Sequence, residues 1–387
     1  MPVASCVAAK SSRADVSAMA GELAVTARTA GARFGFITCT EGVDVAALRR
    51  SLVEALPNVP FIGVTSCRSV IGAGELVRGP VAAAAWWLCG DVKAGVVSQA
   101  LTSSDEAAGR QLARQAASAL GAGFTPAFAL FHATPGLEEP LLRGLTPELK
   151  TPLLGGSAAD EAIAGKWSVF THEQVHGAGA ALALVSWPGK VLAPFVSGAM
   201  PTEHRGVVTR AEGRTIIEVD RQPAAEVYNR WLGGTLDEAL TTGANILSLT
   251  SLSPLGVMRA SGITLVHPER VVLPSRGLAT FAEVKVGETV ALVKSTKVGL
   301  HGRPSNLLLR ALADAGVRGV DVKGVLLVYC AGCMLAIDPA TETMVQSLRS
   351  VAGPAAIAGA FHFGEQGCTA PGKPEHGNLM TGALVLA

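Results

Sequence analysis

The chain has 387 residues, 49% of them apolar, which is enough for a sizeable core and for about two domains of the usual ~100–200 residues. Lysine and arginine total 32 against 31 acidic residues, so no field of one sign is available to draw in phosphate backbones or anionic lipid, and nucleic acid is not an expected partner. The longest apolar runs, Val81 to Cys89 and Gly177 to Trp187, fall short of the roughly 18–20 residues of a membrane span and read as buried strands.

Helical patterns alternate with short Val, Ile, Phe and Ala runs in the first half, the mark of βαβ units. The pattern predicts helices over Ser12 to Ala30, Val45 to Leu56 and, capped by Ser104, Asp105 to Leu120. Strands are predicted over Phe34 to Thr38, Phe61 to Val64, Ala127 to His132 and Pro152 to Gly155, with a hairpin joining Val81 to Cys89 and Ala94 to Ala100. Trp167 to Thr171, Ala178 to Ser186 and Val191 to Ser197 then follow without helices, so the sheet is expected to turn antiparallel. Pro223 starts a helix to Leu232.

Many short β runs follow (Gly262 to Val266, Val271 to Leu273, Leu278 to Phe281, Thr289 to Val293). After them come helices over Ser305 to Ala315 and Glu342 to Val351 and strands over Val325 to Tyr329 and Met380 to Leu386. The expected fold class is α/β, turning α+β in the second half: two domains, 1–215 and 216–387, with mixed β-sheets covered by helices. No long Pro/Ser linker separates them, so they are expected to pack as a fixed unit.

Three phrases share a design. Pro60 to Gly63, Pro152 to Gly155 and Pro354 to Gly359 each take an apolar strand to a glycine, and polar loops follow. Glycine permits close backbone approach, and strand carboxyl ends are where ligands bind in open sheets. If the loops are neighbours, Thr65, Ser66, Cys67 and Arg68, then Gly155, Gly156, Ser157 and Asp160, then His362 and Glu365 line one ligand pocket; if they are not, these residues only make turns. Asp160 and Glu365 are candidates for the amino group of an amino-acid ligand, with Arg68 or Arg205 meeting its carboxylate, or for a paired acid and base.

Seven scattered cysteines do not form a disulfide scaffold and are read as reduced thiols. Val3-Ala4-Ser5-Cys6 has the look of a lipoprotein cleavage site, but no basic start or apolar segment precedes it, and a cytoplasmic location is expected. Cys330 and Cys333 form a C-x-x-C, with Cys368 and His376 downstream, a set able to hold zinc or another thiophilic metal, to act as a redox dithiol, or to lie buried and inert. Arg68 beside Cys67 makes that thiol the better reactive candidate. Haem is the lesser reading, because only 5% of the residues are aromatic. Rossmann, Walker, G-x-S-x-G and H-E-x-x-H signatures are missing from the sequence.

Leu153-Leu-Gly-Gly-Ser-Ala-Ala-Asp160 resembles a segment of FIST N-terminal domains, and Val208 to Gly213, Ile217 to Asp220 and Pro223 to Tyr228 resemble the junction into FIST C-terminal domains. Gly359 to Glu365 and His376-Gly-Asn378 with the Met380 to Leu386 strand are similar to the family's ending. The resemblance spans nearly the whole chain. It implies a sensory module that binds a small ligand, amino acids among them, and signals through a separate protein; a branch of similar proteins binds haem. The sequence departs from the family where relatives carry a cysteine followed by arginines (here Cys330-Ala-Gly-Cys333) and a threonine-tyrosine (here His362-Phe363). The alternatives are a cysteine-dependent enzyme or redox protein, and a metal or haem sensor.

Overall fold

The computed structural model describes residues 3–259, 262–370 and 372–387. It is a mixed α/β fold with four sheets. Three of the sheets are variations on one unit. In each, a first strand runs parallel to a second through a helical crossover: Ala32–Thr40 with Phe61–Ser66, Phe128–Ala133 with Leu153–Gly156, and Gly324–Cys330 with Ala356–His362. A later strand of the same unit lies antiparallel to the first: Ala83–Cys89, Gly179–Val185 and Thr381–Leu386 respectively.

The fourth position in each sheet is filled by exchange. The chain leaving Phe61–Ser66 crosses, as Ser69–Gly72, to pair with Ala356–His362; that leaving Leu153–Gly156 crosses, as Val169–Thr171, to pair with Phe61–Ser66; that leaving Ala356–His362 crosses, as Glu365–Ala370, to pair with Leu153–Gly156. The cycle is closed. Segments before and after residue 215 therefore share three of the four sheets.

Burial on both faces explains the long apolar runs. In Ala83–Cys89 the side chain of Trp86 enters the central core and donates its indole N–H to Ala356 O at 3.0 Å, while Trp87 turns to the opposite face and donates to Leu23 O at 3.1 Å, under the helix Val16–Ala30. Helices Val16–Ala30 and Val45–Ala55 cover the first sheet, Glu106–Leu120 and Glu138–Leu145 the second. Lys297–Ala315 and Thr341–Ala352 pack together beside the third.

Several expectations are corrected. Ala83–Cys89 and Ala94–Ala100 are no hairpin: the former pairs in the first sheet and the latter with Gly179–Val185 in the second, the chain turning away at Gly90, φ 85°. Asp105, not Ser104, caps the third helix, accepting from Ala108 N at 2.7 Å. The helix expected from Ser305 begins at Lys297, capped by Thr296, and runs through Pro304. Proline has no N–H for Leu300 O, four residues back, and the Tyr329 hydroxyl fills that vacancy at 2.9 Å. A short helix, Ala331–Ile337, carries the second half of the C-x-x-C.

The fourth sheet is wholly antiparallel, built on the long strand Met200–Glu212, with its own core around Val208, Ile216, Tyr228 and Val290. Its connecting segment 247–252 overhangs the ends of the three parallel pairs. Among the described residues no helix is long and apolar enough to cross a membrane.

Candidate functional site

The three glycine loops meet. Cys67 N donates to Phe361 O at 3.0 Å and Phe361 N to Ser66 Oγ at 2.8 Å; Ala159 N donates to Thr65 O at 3.0 Å; Ser157 N donates to Gly364 O at 2.8 Å. These bonds tie each unit to its neighbour where the second strands end. Contact is close because Gly156 has no side chain: a Cβ there would lie 2.2 Å from the His362 ring.

His362 stacks on His132, ring centroids 5.7 Å apart. Nδ1 of His132 lies 2.8 Å from Gly156 O and Nδ1 of His362 lies 3.1 Å from Ser157 O. A carbonyl can only accept, so Nδ1 of His362 carries the proton and its Nε2 is a bare lone pair, whereas Nδ1 of His132 also lies 3.3 Å from the Gly156 N–H and has both a donor and an acceptor beside it. Neither Nε2 has a protein partner. Burial holds both rings neutral, His132 at a pKa of about 4 and His362, further depressed by its neighbour, at about 3.

A cavity of about 570 Å³ opens beside this junction. Cys67, His362 and Cys330 form part of its floor, and Leu247, Leu252, His267 and Phe281 enter from the fourth sheet's side. The exposed Glu161 and Lys297 are its charged lining residues. Asn378 is oriented by accepting from His267 N through Oδ1 at 3.1 Å, which leaves its buried Nδ2 unpartnered. The size suits a small organic molecule.

The other residues singled out by sequence hold the framework. Asp160 accepts four backbone N–H groups, from Ala162 and Ile163 on Oδ1 and from Ala164 and Lys166 on Oδ2, at 2.6–3.1 Å. Its acceptor capacity is spent on shaping the loop that forms one wall. Ser66 donates to Ser69 O, Thr65 Oγ1 accepts from Ser168 N, and Ser157 donates to Glu138 at 2.6 Å while accepting from Gln366. Arg68 and Arg205 are exposed and outside the cavity lining. Gly155 adjoins Phe131 O, where a Cβ has no room.

Glu365 is fully buried, and desolvation with the Cys330 thiol beside it pushes its carboxyl well above the ordinary range, against the Met380 N–H that it accepts at 2.9 Å and the Arg303 charge. Asp160 and Glu365 are each engaged with backbone N–H groups of their own surroundings and share no hydrogen bond as an acid and base pair.

Cys67 and Cys330 are not activated thiols. Burial pushes Cys67 up to about 12, overcoming Arg68, and Cys330 well above its usual value. Cys330 and Cys333 are neighbours, but Cys368 and His376 do not join them: among the described residues no three His, Cys, Asp or Glu side chains are grouped to hold a metal. Both nitrogens of His376 are engaged, Nδ1 with Gln366 at 2.9 Å and Nε2 with Phe281 O at 3.2 Å. This donor set does not fit zinc. Haem finds a chemically suitable nitrogen in His362, but one cation, Lys297, faces the two propionates it would bring, so the lining fits a porphyrin poorly.

Sequence reasoning missed Asn378, His267 and Arg303. His267 lies far along the chain from the glycine loops, and Asn378 enters the sequence reading only as part of the family-like ending and not as a lining residue. Arg303 is buried, donates to Leu379 O at 2.7 Å and leaves Nε and Nη2 unpartnered; its place beside Pro304 hid it from a helical reading.

Fold and cavity together define an α/β module built around an internal site of small-molecule size. The FIST N domain model matches residues 33–222 and the FIST C domain model residues 224–368. The chain belongs to the FIST family, whose domains are generally sensory modules that bind small ligands. No curated protein matches it. Among solved structures it is similar to a cyanuric acid hydrolase from A. caulinodans, with 10% identity, a TM-score of 0.40, and coverage of 100% of this chain and 99% of that one. T. maritima PurL complexed with ADP follows at 12% identity, a TM-score of 0.23, and coverage of 99% and 71%. Neither likeness is strong enough to carry an activity across.

Proposed function

We propose that the chain is a sensor whose small ligand occupies the cavity above the three converging loops, and whose occupied state is read by a separate protein. The observation that carries this is the convergence of the three glycine loops, through Cys67 N to Phe361 O, Ala159 N to Thr65 O and Ser157 N to Gly364 O, beside a cavity of about 570 Å³. The raised pKa values of Cys67 and Cys330 count against nucleophilic turnover. An amino acid would have to set its charges against Glu161 and Lys297, because Arg68, Arg205 and Asp160 do not face the cavity.

The test is a thermal-shift screen of polar small molecules on the full chain and on Leu252→Trp, which fills the cavity from the overhanging segment. Ligands of this site raise the unfolding temperature of the parent and not of the variant. Equal stabilisation of both places binding elsewhere and overturns the proposal.

A further inference from the structure

What a ligand can touch in the cavity is decided by the lining side chains that keep accessible surface, and most of these are apolar. Ile163 and Leu335 are 46% and 41% exposed, and Leu247, Leu252, Phe281 and Phe363 are half-buried. His362 and Cys67 have no exposed surface, so neither presents a polar face to an occupant. The Ser251 hydroxyl is engaged with Leu247 O at 2.8 Å. The exposed polar lining is then Ser248 with Glu161 and Lys297, two charges of opposite sign.

Ile163 is also strained. Its φ of 57° lies in the left-handed region, which a β-branched side chain enters at a cost and which asparagine or glycine tolerates. Asp160 Oδ1 holds it there, accepting its N–H at 2.6 Å. Such strain persists where something else offsets it, yet nearly half of this side chain is exposed, so packing within the fold offsets little. An apolar occupant of the cavity, covering that surface, would.

We infer that the ligand is a predominantly apolar molecule of the aryl or branched-alkyl class, whose few polar groups stay beside Ser248, Glu161 and Lys297, and that Ile163 is a specificity-determining contact for its body. This rests on the cavity being the ligand site. A sugar or a phosphate-bearing molecule would give up its hydration against a wall that returns few hydrogen bonds, and a body carrying several charges of one sign would meet no net counter-charge. An apolar body loses no hydrogen bonds on entry and removes the exposed Ile163 and Leu335 from water.

The experiment is fluorescence titration of the full chain with N-phenyl-1-naphthylamine, an uncharged aromatic dye that brightens in apolar surroundings. Saturable one-to-one binding is expected in the parent and not in Leu252→Trp, with displacement by 2-naphthalenemethanol and none by glucose or glutamate at the same concentration. Ile163→Asn relaxes the left-handed backbone while removing the apolar contact, so the melting temperature of the free chain should hold or rise as dye affinity falls about tenfold, what an apolar side chain of this size contributes when covered. Leu335→Ser, at a second exposed lining position, should weaken the dye in the same sense. A melting temperature that drops in Ile163→Asn, or an affinity that both variants leave unchanged, overturns the role given to Ile163. If the dye does not bind, or binds the parent and Leu252→Trp alike, the apolar class is overturned, while the screen with Leu252→Trp still decides on the cavity. If glucose or glutamate displaces the dye as well as 2-naphthalenemethanol does, the cavity stands as the ligand site and the class inferred here is wrong.

Discussion

The imidazole of His362 lies over that of His132 with ring planes 20° from parallel, and their Nδ1 atoms contact consecutive residues, Gly156 and Ser157. The Ser157 carbonyl fixes the tautomer of His362, a histidine from a distant segment of the chain. The stack is possible because Gly156 leaves the space a side chain would take.

Acid stability follows from this stack. His132, His362 and His267 have folded pKa values of about 4, 3 and 4, whereas in the unfolded chain each titrates near its ordinary value of 6.5. Below that value the unfolded state binds protons that the folded state refuses, so stability is fully present above about pH 6.5 and falls as pH drops toward the folded values. Each ring contributes a slope of about 1.4 kcal/mol per pH unit at most. Glu365, raised, acts in the opposite sense above its ordinary 4.5, but it is one group against three. Urea midpoints between pH 7 and 5 should fall steadily. A flat profile would show that these rings are not held neutral.

Asp160 gives a prediction about the wall of the cavity. Asp160→Ala removes the acceptors of four backbone N–H groups, and losing hydrogen bonds to a charged group costs about 1.5–3 kcal/mol for each one left unmade. The loop is surface-exposed, so water recovers much of this, and the expected effect is local. Amides of Ala162, Ile163, Ala164 and Lys166 should lose hydrogen-exchange protection while the Ala356–His362 strand keeps it. Uniform loss across the chain would mean that Asp160 holds the whole fold.

Tyr329 and Pro304 should be coupled. Tyr329→Phe leaves the carbonyl of buried Leu300 without a donor and is expected to cost about 1–3 kcal/mol. Pro304→Ala restores the helical N–H to that carbonyl, so the double variant should be less destabilised than the sum of the singles. Additivity in the four denaturation midpoints would show that the hydroxyl is not filling the proline's gap.

This pair also shows where the sequence was legible. Helices with local signals, such as Val45–Ala55 behind its Asp44 cap, and strands with unbroken apolar runs, such as Phe128–Ala133, lie within a residue or two of where periodicity places them. The expected helix begins at Ser305, just past Pro304, since proline breaks the ladder of a helix interior, and nothing local announces that a tyrosine 25 residues later supplies the missing donor. Strand partners were harder still. Trp86 and Trp87 announce burial on both faces but not which sheet receives the strand, and the exchange of Ser69–Gly72, Val169–Thr171 and Glu365–Ala370 among three units depends on contacts across hundreds of residues. The three Pro-to-Gly phrases were the trace of the repeat. They marked the loops that meet, and His362 and Cys67 among the lining residues, but Asn378 and Leu252 reach the cavity through elements whose sequences speak only of packing.

The central claim is that a small ligand occupies the cavity above the converging loops, beside His362. The direct measurement is the imidazole ¹⁵N spectrum of His362 at neutral pH, assigned by comparison with His362→Asn, before and after saturation with any compound that stabilises the parent chain and not Leu252→Trp. The account predicts a neutral ring protonated on Nδ1 with a bare Nε2 in the free protein, and a displacement of the ring's nitrogen signals when the cavity beside it is filled. A ring protonated on Nε2, or an Nε2 signal that does not move when the cavity is occupied, would contradict it.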